Sequence, residues 1–160
     1  MRNGFRTLAV FSGFIFALPC LVMGADVISI WGGARETIVL KSDGTVWNWG
    51  LNTYGHLGDG TFSTIADPTN DKHVPIEVHG PGNVGYLNSI IAIMGGESHN
   101  FALKSDGTVW AWGQGSLANS IGDGTNLDRY TPVQVSNLSS IISLGGRTYH
   151  SLAIKSDGTA

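Results

Sequence analysis

Beyond residue 26 the apolar residues fall in short runs separated by glycine turns, among them 89–94, 100–103, 109–112 and 132–135. Runs of four to six are of strand length, and no stretch of ten to twelve residues keeps a helical period, so the pattern predicts an all-β chain. Between two such runs the segment Lys-Ser-Asp-Gly-Thr reads as a hairpin turn, because Asp tolerates and Gly supplies the positive φ that suits the twist of paired strands. Trp47 and Trp49 are two residues apart, as are Trp110 and Trp112, which places each pair on one strand face.

The runs repeat. Residues 39–50 read VLKSDGTVWNWG and residues 102–113 read ALKSDGTVWAWG, identical at ten of twelve positions, and AIKSDGTA opens a third copy at 153–160. Lys41 to Lys104 spans 63 residues and Lys104 to Lys155 spans 51, so the unit is about fifty residues long, expanded in its first copy. Most of the expansion lies in two loops, within 61–75 and 75–95. A period of this length with several short strands in each copy predicts propeller blades: repeats at about 27–91, 92–142 and a third, cut short, from 143. The expected fold is therefore an all-β partial β-propeller of about two and a half blades, a piece of a longer chain, since blades bury their faces against neighbours.

Residues 1–25 follow a different rule. Arg2 and Arg6 precede an uncharged stretch, and the helix breaker Pro19 precedes the small residues Gly24 and Ala25, the order of a secretory signal peptide. An uncleaved anchor is the alternative, and membrane contact is expected only in that case. On this basis 26–160 is expected to be secreted or held at the cell surface. Cys20 is the sole cysteine, which excludes an intrachain disulfide framework, and a formal net charge of -3 argues against a nucleic-acid partner.

Several segments resemble, in order, the repeat of the regulator of chromosome condensation family. They are Gly96-Glu97-Ser98-His99-Asn100-Phe101-Ala102-Leu103, then Ser105-Asp106-Gly107, Trp112-Gly113, Gly122-Asp123-Gly124 and Thr131-Pro132-Val133-Gln134-Val135. The first copy carries Asn52-Thr53-Tyr54-Gly55-His56-Leu57-Gly58 where the family has an Asn and a Gly-Gln-Leu-Gly-like turn. The second copy departs there, with one residue more between Gln114 and Gly122. His99 and His150 match the family's histidine, but Glu36 stands at that place in the first copy. The resemblance covers about 27–160 and implies a seven-bladed propeller in complete members. Its repeat-motif positions here are Asp43, Gly44, Trp49, Gly50, His99, Asp106, Gly107, Trp112, Gly113, His150, Asp157 and Gly158.

Candidate chemistry is sparse. His99 and His150 recur in successive copies, so they fall on separate blades and suit strand-end hydrogen bonds better than a shared metal. Ser98 and His99 are adjacent on a strand and point to opposite faces, so they do not form a nucleophile and its base. Asp123, Asn126 and Asp128 miss the spacing of a calcium loop and read as turn residues. No catalytic residue, metal site or cofactor is expected. The four repeated tryptophans are expected between blades, Trp49 and Trp112 mainly in the core.

These readings favour a non-catalytic, exported interaction scaffold, with a protein partner of unknown identity, rather than an enzyme. Its candidate contacts lie in the expanded loops: Phe62, Asp67, Asp71, Lys72, His79 and Tyr86. The alternatives are a segment of a long adhesive surface array or a secreted enzyme inhibitor. The family's nuclear precedent, a nucleotide-exchange factor for a small GTPase that docks on chromatin, comes last on grounds of export and acidic charge.

Overall fold

The computed structural model describes residues 24–33, 35–116, 121–147 and 150–160. The basic and apolar zones of the expected signal peptide, residues 1–23, lie outside the described residues, as does much of the second copy's departing loop, 117–120.

Among the described residues, ten strands form three antiparallel sheets. The first contains β1 (Val27–Gly32), β2 (Glu36–Lys41), β3 (Val46–Gly50) and β4 (Lys72–Glu77), in sequence order across the sheet. The second repeats this arrangement with β5 (Ile90–Gly95), β6 (His99–Lys104), β7 (Val109–Gly113) and β8 (Arg129–Gln134). A third, two-stranded sheet pairs β9 (Ile141–Arg147) with β10 (His150–Lys155). The fold is all-β, and the described sheets resemble blades of part of a propeller. Among the described residues the helical element is a single 3-10 turn at Pro81–Asn83.

The hairpin turns have the predicted form. The amide of Lys41 donates to the Thr45 carbonyl and that of Gly44 to the Lys41 carbonyl, with Gly44 at φ 80°. This is a three-residue loop closed by a left-handed glycine, and Gly107 and Gly158 repeat it. The Asp also clamps the turn, since Oδ1 of Asp43 accepts hydrogen bonds from both the amide and the hydroxyl of Thr45, at 3.0 and 2.7 Å. The same Asp-x-Thr clasp recurs at Asp59, Asp67, Asp106, Asp123 and Asp157. In Asp43, Asp106 and Asp157 the Thr hydroxyl, then its amide, holds the carboxyl below the usual range.

The core lies between blades. Ile38, Leu40, Val46 and Val78 of the first blade pack with Leu87, Ile90, Ile93, Ala102 and Trp112. Trp112 is fully buried. Its counterpart Trp49 is only half-buried, and Val27 and Ile30 of the same sheet are 57% and 65% exposed. The expectation that Trp49 and Trp112 both lie mainly in the core thus holds for Trp112 and is corrected for Trp49: the same side chain is buried only where a sheet packs on its side. Trp47 and Trp110 lie half-buried, each donating its indole N–H to the Thr two residues back and lying under Lys41 and Lys104 respectively.

Candidate functional site

The segment from Asn52 to Thr61 folds back into the blade interface. Buried Asn52 holds it, receiving the Leu57 amide at its Oδ1 and donating to the Thr61 carbonyl. This delivers the His56 carbonyl to a point where three donors converge: Asn48 Nδ2 at 2.8 Å, Asn100 Nδ2 at 2.8 Å and the Trp112 indole N–H at 3.0 Å. One backbone carbonyl therefore ties β3 of the first blade to β6 and β7 of the second. Gly58 makes this possible. Its φ is 75°, and a Cβ there would stand 2.9 Å from both the Trp112 Nε1 and the Val78 Cγ1.

Beside this hub lie two buried titratable groups. Glu36 opens β2 opposite Gly50, the place that His99 takes in β6 opposite Gly113. Its Oε2 is 3.6 Å from the His56 Nε2, too far for a hydrogen bond. Burial raises the Glu36 carboxyl to about 7, against weaker lowering by the Arg35 amide. Burial likewise lowers the His56 imidazole to about 4. His56 is therefore neutral at pH 7 while Glu36 is in mid-titration, so the two do not form a salt bridge. His99 is also buried and held below its usual range by desolvation, with its ring edge-on to Phe101 at 5.3 Å. Its Nε2 lacks a hydrogen-bond partner among the described residues, so packing rather than a strand-end hydrogen bond at that nitrogen accounts for its position. His150 is exposed at the start of β10.

The expanded loops carry the outer surface. Phe62, 45% exposed, stacks on Tyr130 of β8 at 4.8 Å between ring centroids. His79 meets Tyr86 edge-on at 5.6 Å, and its Nδ1 lies 2.6 Å from the Asn83 Oδ1. The turn at Gly60 stands between these aromatic pairs: its amide donates to the Tyr130 carbonyl, and its open side faces the Asn83 amide. Ile65 and Val84 are 99% and 77% exposed in the same loops.

The remaining loop residues have internal partners. Asp71 accepts from the Asn52 amide and the Ser63 hydroxyl, and Lys72 reaches Asp59 at 3.3 Å. Burial works to raise Asp59, but the Thr61 hydrogen bonds and Lys72 together hold it below its usual range. Asp67 is exposed and clasps Thr69. Asp123 binds Thr125 and Arg129, while Asp128 accepts the Gly115 and Ser116 amides, so these carboxylates serve separate turns. Tyr130 and Ile65 escape sequence reasoning: Tyr130 meets Phe62 across 68 residues, and Ile65 sits in no periodic run.

Two models of one family, the Regulator of chromosome condensation (RCC1) repeat, match residues 43–103 and 90–117. Among curated proteins, the chain is 34% identical over 103 residues to the Ultraviolet-B receptor UVR8 of Arabidopsis thaliana, covering 64% of the chain and 21% of that protein. It is 28% identical over 148 residues to Protein pim1 of Schizosaccharomyces pombe, covering 83% and 26%. The chain thus spans about a fifth to a quarter of these relatives. Among solved structures it is similar to yeast RCC1 (Prp20) bound to Kap60, with TM-score 0.60, 23% identity and coverage of 82% of the chain and 30% of that one. It is also similar to Prp20p of Saccharomyces cerevisiae, described with its binding to Gsp1p and histones, at TM-score 0.59, 22% identity and coverage of 81% and 31%.

These likenesses correct the functional expectations. The sequence favoured a non-catalytic scaffold, not an enzyme, that is secreted or at the cell surface and has a partner of unknown identity. The family model is instead named for chromosome condensation, and two of the similar solved structures are described with Kap60 or with Gsp1p and histones. Secretion, the adhesive array and the secreted inhibitor give way. The N-terminal pattern and net charge on which the exchange factor was ranked last no longer carry that ranking.

Proposed function

We propose that this chain, whose propeller blades match the RCC1 repeat at residues 43–103 and 90–117, works as part of a guanine-nucleotide exchange factor on a Gsp1p-like small GTPase. The observation that carries the reading is the aromatic surface on the expanded loops, Phe62 on Tyr130 and His79 against Tyr86, mounted on blades of the Prp20 type. Partly exposed aromatic side chains held by stacking give large contact area at little entropic cost, as protein-binding hot spots require. A rigid scaffold beneath them matters as well, because exchange needs a partner's nucleotide site to be bound in its open form more tightly than in its closed one. The His56 carbonyl hub and the Asp-x-Thr clasps supply that rigidity.

Within this reading Phe62, His79 and Tyr86 contact the GTPase, while Asp71 and Lys72 shape the loop that presents Phe62. The test is release of a fluorescent guanine nucleotide from Gsp1p, with and without this chain. Release should accelerate in proportion to added chain. Unchanged release, together with no complex on size exclusion, would defeat the proposal.

A further inference from the structure

Between β4 and the second blade, residues 78–87 form a small hairpin. Its base is anchored in the blade interface, where Val78 and Leu87 belong to the first core and the Leu87 amide donates to the Val78 carbonyl. His79 and Tyr86 pair across it, and the Gly80 amide donates to the Gly85 carbonyl. At its tip Gly82 and Asn83 stand consecutively at φ 63° and 66°. Two left-handed residues in a row make the tight turn that suits paired strands, and Gly and Asn are the residues that accept it. Neighbours hold the hairpin on both sides: the His79 amide donates to the Gly58 carbonyl, and the 3-10 turn at Pro81–Asn83 packs against β8.

The turn brings Asn83 back to His79. A Cβ on Gly60 would lie 2.7 Å from the Asn83 Oδ1, so the side-chain amide uses space that the glycine leaves open. From there Oδ1 stands 2.6 Å from the His79 Nδ1. A carbonyl oxygen can only accept, so the hydrogen of the neutral imidazole sits on Nδ1 and Nε2 keeps its lone pair. Nε2 makes no hydrogen bond among the described residues. Unlike the ring nitrogens of His56 and the Nε2 of His99, it is not buried, so solvent reaches it. Tyr86 meets the ring edge-on at 74° and restrains its rotation.

We propose that Asn83 is a positioning residue that holds His79 as the Nδ1–H tautomer, so that Nε2 accepts a hydrogen bond from an N–H or O–H donor on the bound GTPase. The identity of that partner rests on the exchange-factor reading, whereas the tautomer does not. A directional acceptor set among aromatic faces selects as well as binds: a partner donor gains the bond, while a carboxylate at the same place meets lone pair against lone pair.

The test has one readout that needs no partner. In the isotope-labelled full chain at about pH 8, above the ordinary histidine range, long-range proton–nitrogen spectra should show His79 with a protonated Nδ1 and a bare Nε2. Asn83→Gly, which accepts the same φ, should release the ring to a mixture of tautomers with the circular dichroism unchanged. In calorimetry with Gsp1p, His79→Phe should weaken binding by about tenfold and Asn83→Gly by less. His79→Gln, whose amide oxygen reaches toward the place of Nε2, should recover part of the loss. If N83G does not fold, the parent spectrum and the two His79 variants decide. A proton on Nε2 in the parent, or an unchanged tautomer in folded N83G, would overturn the proposal whatever Gsp1p does. Equal binding of Gsp1p by the parent and H79F would overturn it and leave the exchange reading standing. No binding by the parent would overturn the exchange reading together with the contact that rests on it, leaving the nitrogen spectra to judge the tautomer.

Discussion

Separate replacement of Glu36 and His56 by Gln should tilt the pH dependence of stability in opposite directions. In the folded chain Glu36 titrates at about 7 against an ordinary 4.5, so the native state binds its proton more tightly than the unfolded state does. Its contribution is full below pH 4.5 and is lost as pH rises to about 7. His56 titrates at about 4 against 6.5, so the native state resists protonation, and stability is lost as pH falls from 6.5 to about 4. Each shift of about two and a half units corresponds to about 3 kcal/mol, and the two slopes nearly cancel in the unaltered chain. Glu36→Gln leaves His56 uncompensated, so relative to the parent it should gain stability as pH rises from 4.5 to about 7. His56→Gln removes the opposing slope, so relative to the parent it should lose stability as pH rises from about 4 to 6.5. His99, lowered by burial, and the lowered aspartates act alike in all three chains and drop out of the difference. Urea midpoints at about pH 5, 6, 7 and 8, multiplied by the common slope, give the comparison. Parallel curves would refute the reasoning, and slopes of reversed sign would mean that Glu36 and His56 are a charged pair.

The glycines of the two equivalent turns should differ in tolerance. Gly58→Ala pushes a methyl against Trp112 and Val78 and should cost about 2–3 kcal/mol in urea unfolding, whereas Gly122→Ala, whose methyl meets only the end of the Val135 side chain, should cost about 1 kcal/mol, mainly from its positive φ. On the loop surface, Phe62→Ala combined with Tyr86→Ala should weaken Gsp1p binding by about tenfold or more in calorimetry, with the urea midpoint little changed, because both side chains are about half exposed.

Local structure was legible in the residues because it depends on neighbours in sequence. Alternation sets which face a strand side chain takes, and Asp-Gly-Thr sets the hairpin, so strands, turns and the blade repeat follow from the pattern. The clasp between Asp43 and Thr45 has its signal in the recurring Asp-x-Thr spacing. Trp49 and Trp112, by contrast, stand in segments alike at ten of twelve positions, and nothing local distinguishes them. Which of the two is buried depends on which blade packs beside it. The same holds for the His56 carbonyl, whose donors lie 8, 44 and 56 residues away, and for Glu36 beside His56. The export reading rested on residues 1–25, a segment whose pattern speaks to targeting and not to the surface the blades present. Repeats specify the blade because each strand needs only its own alternation and turns, while tertiary packing decides what each blade buries and exposes, because burial belongs to the pair of faces that meet.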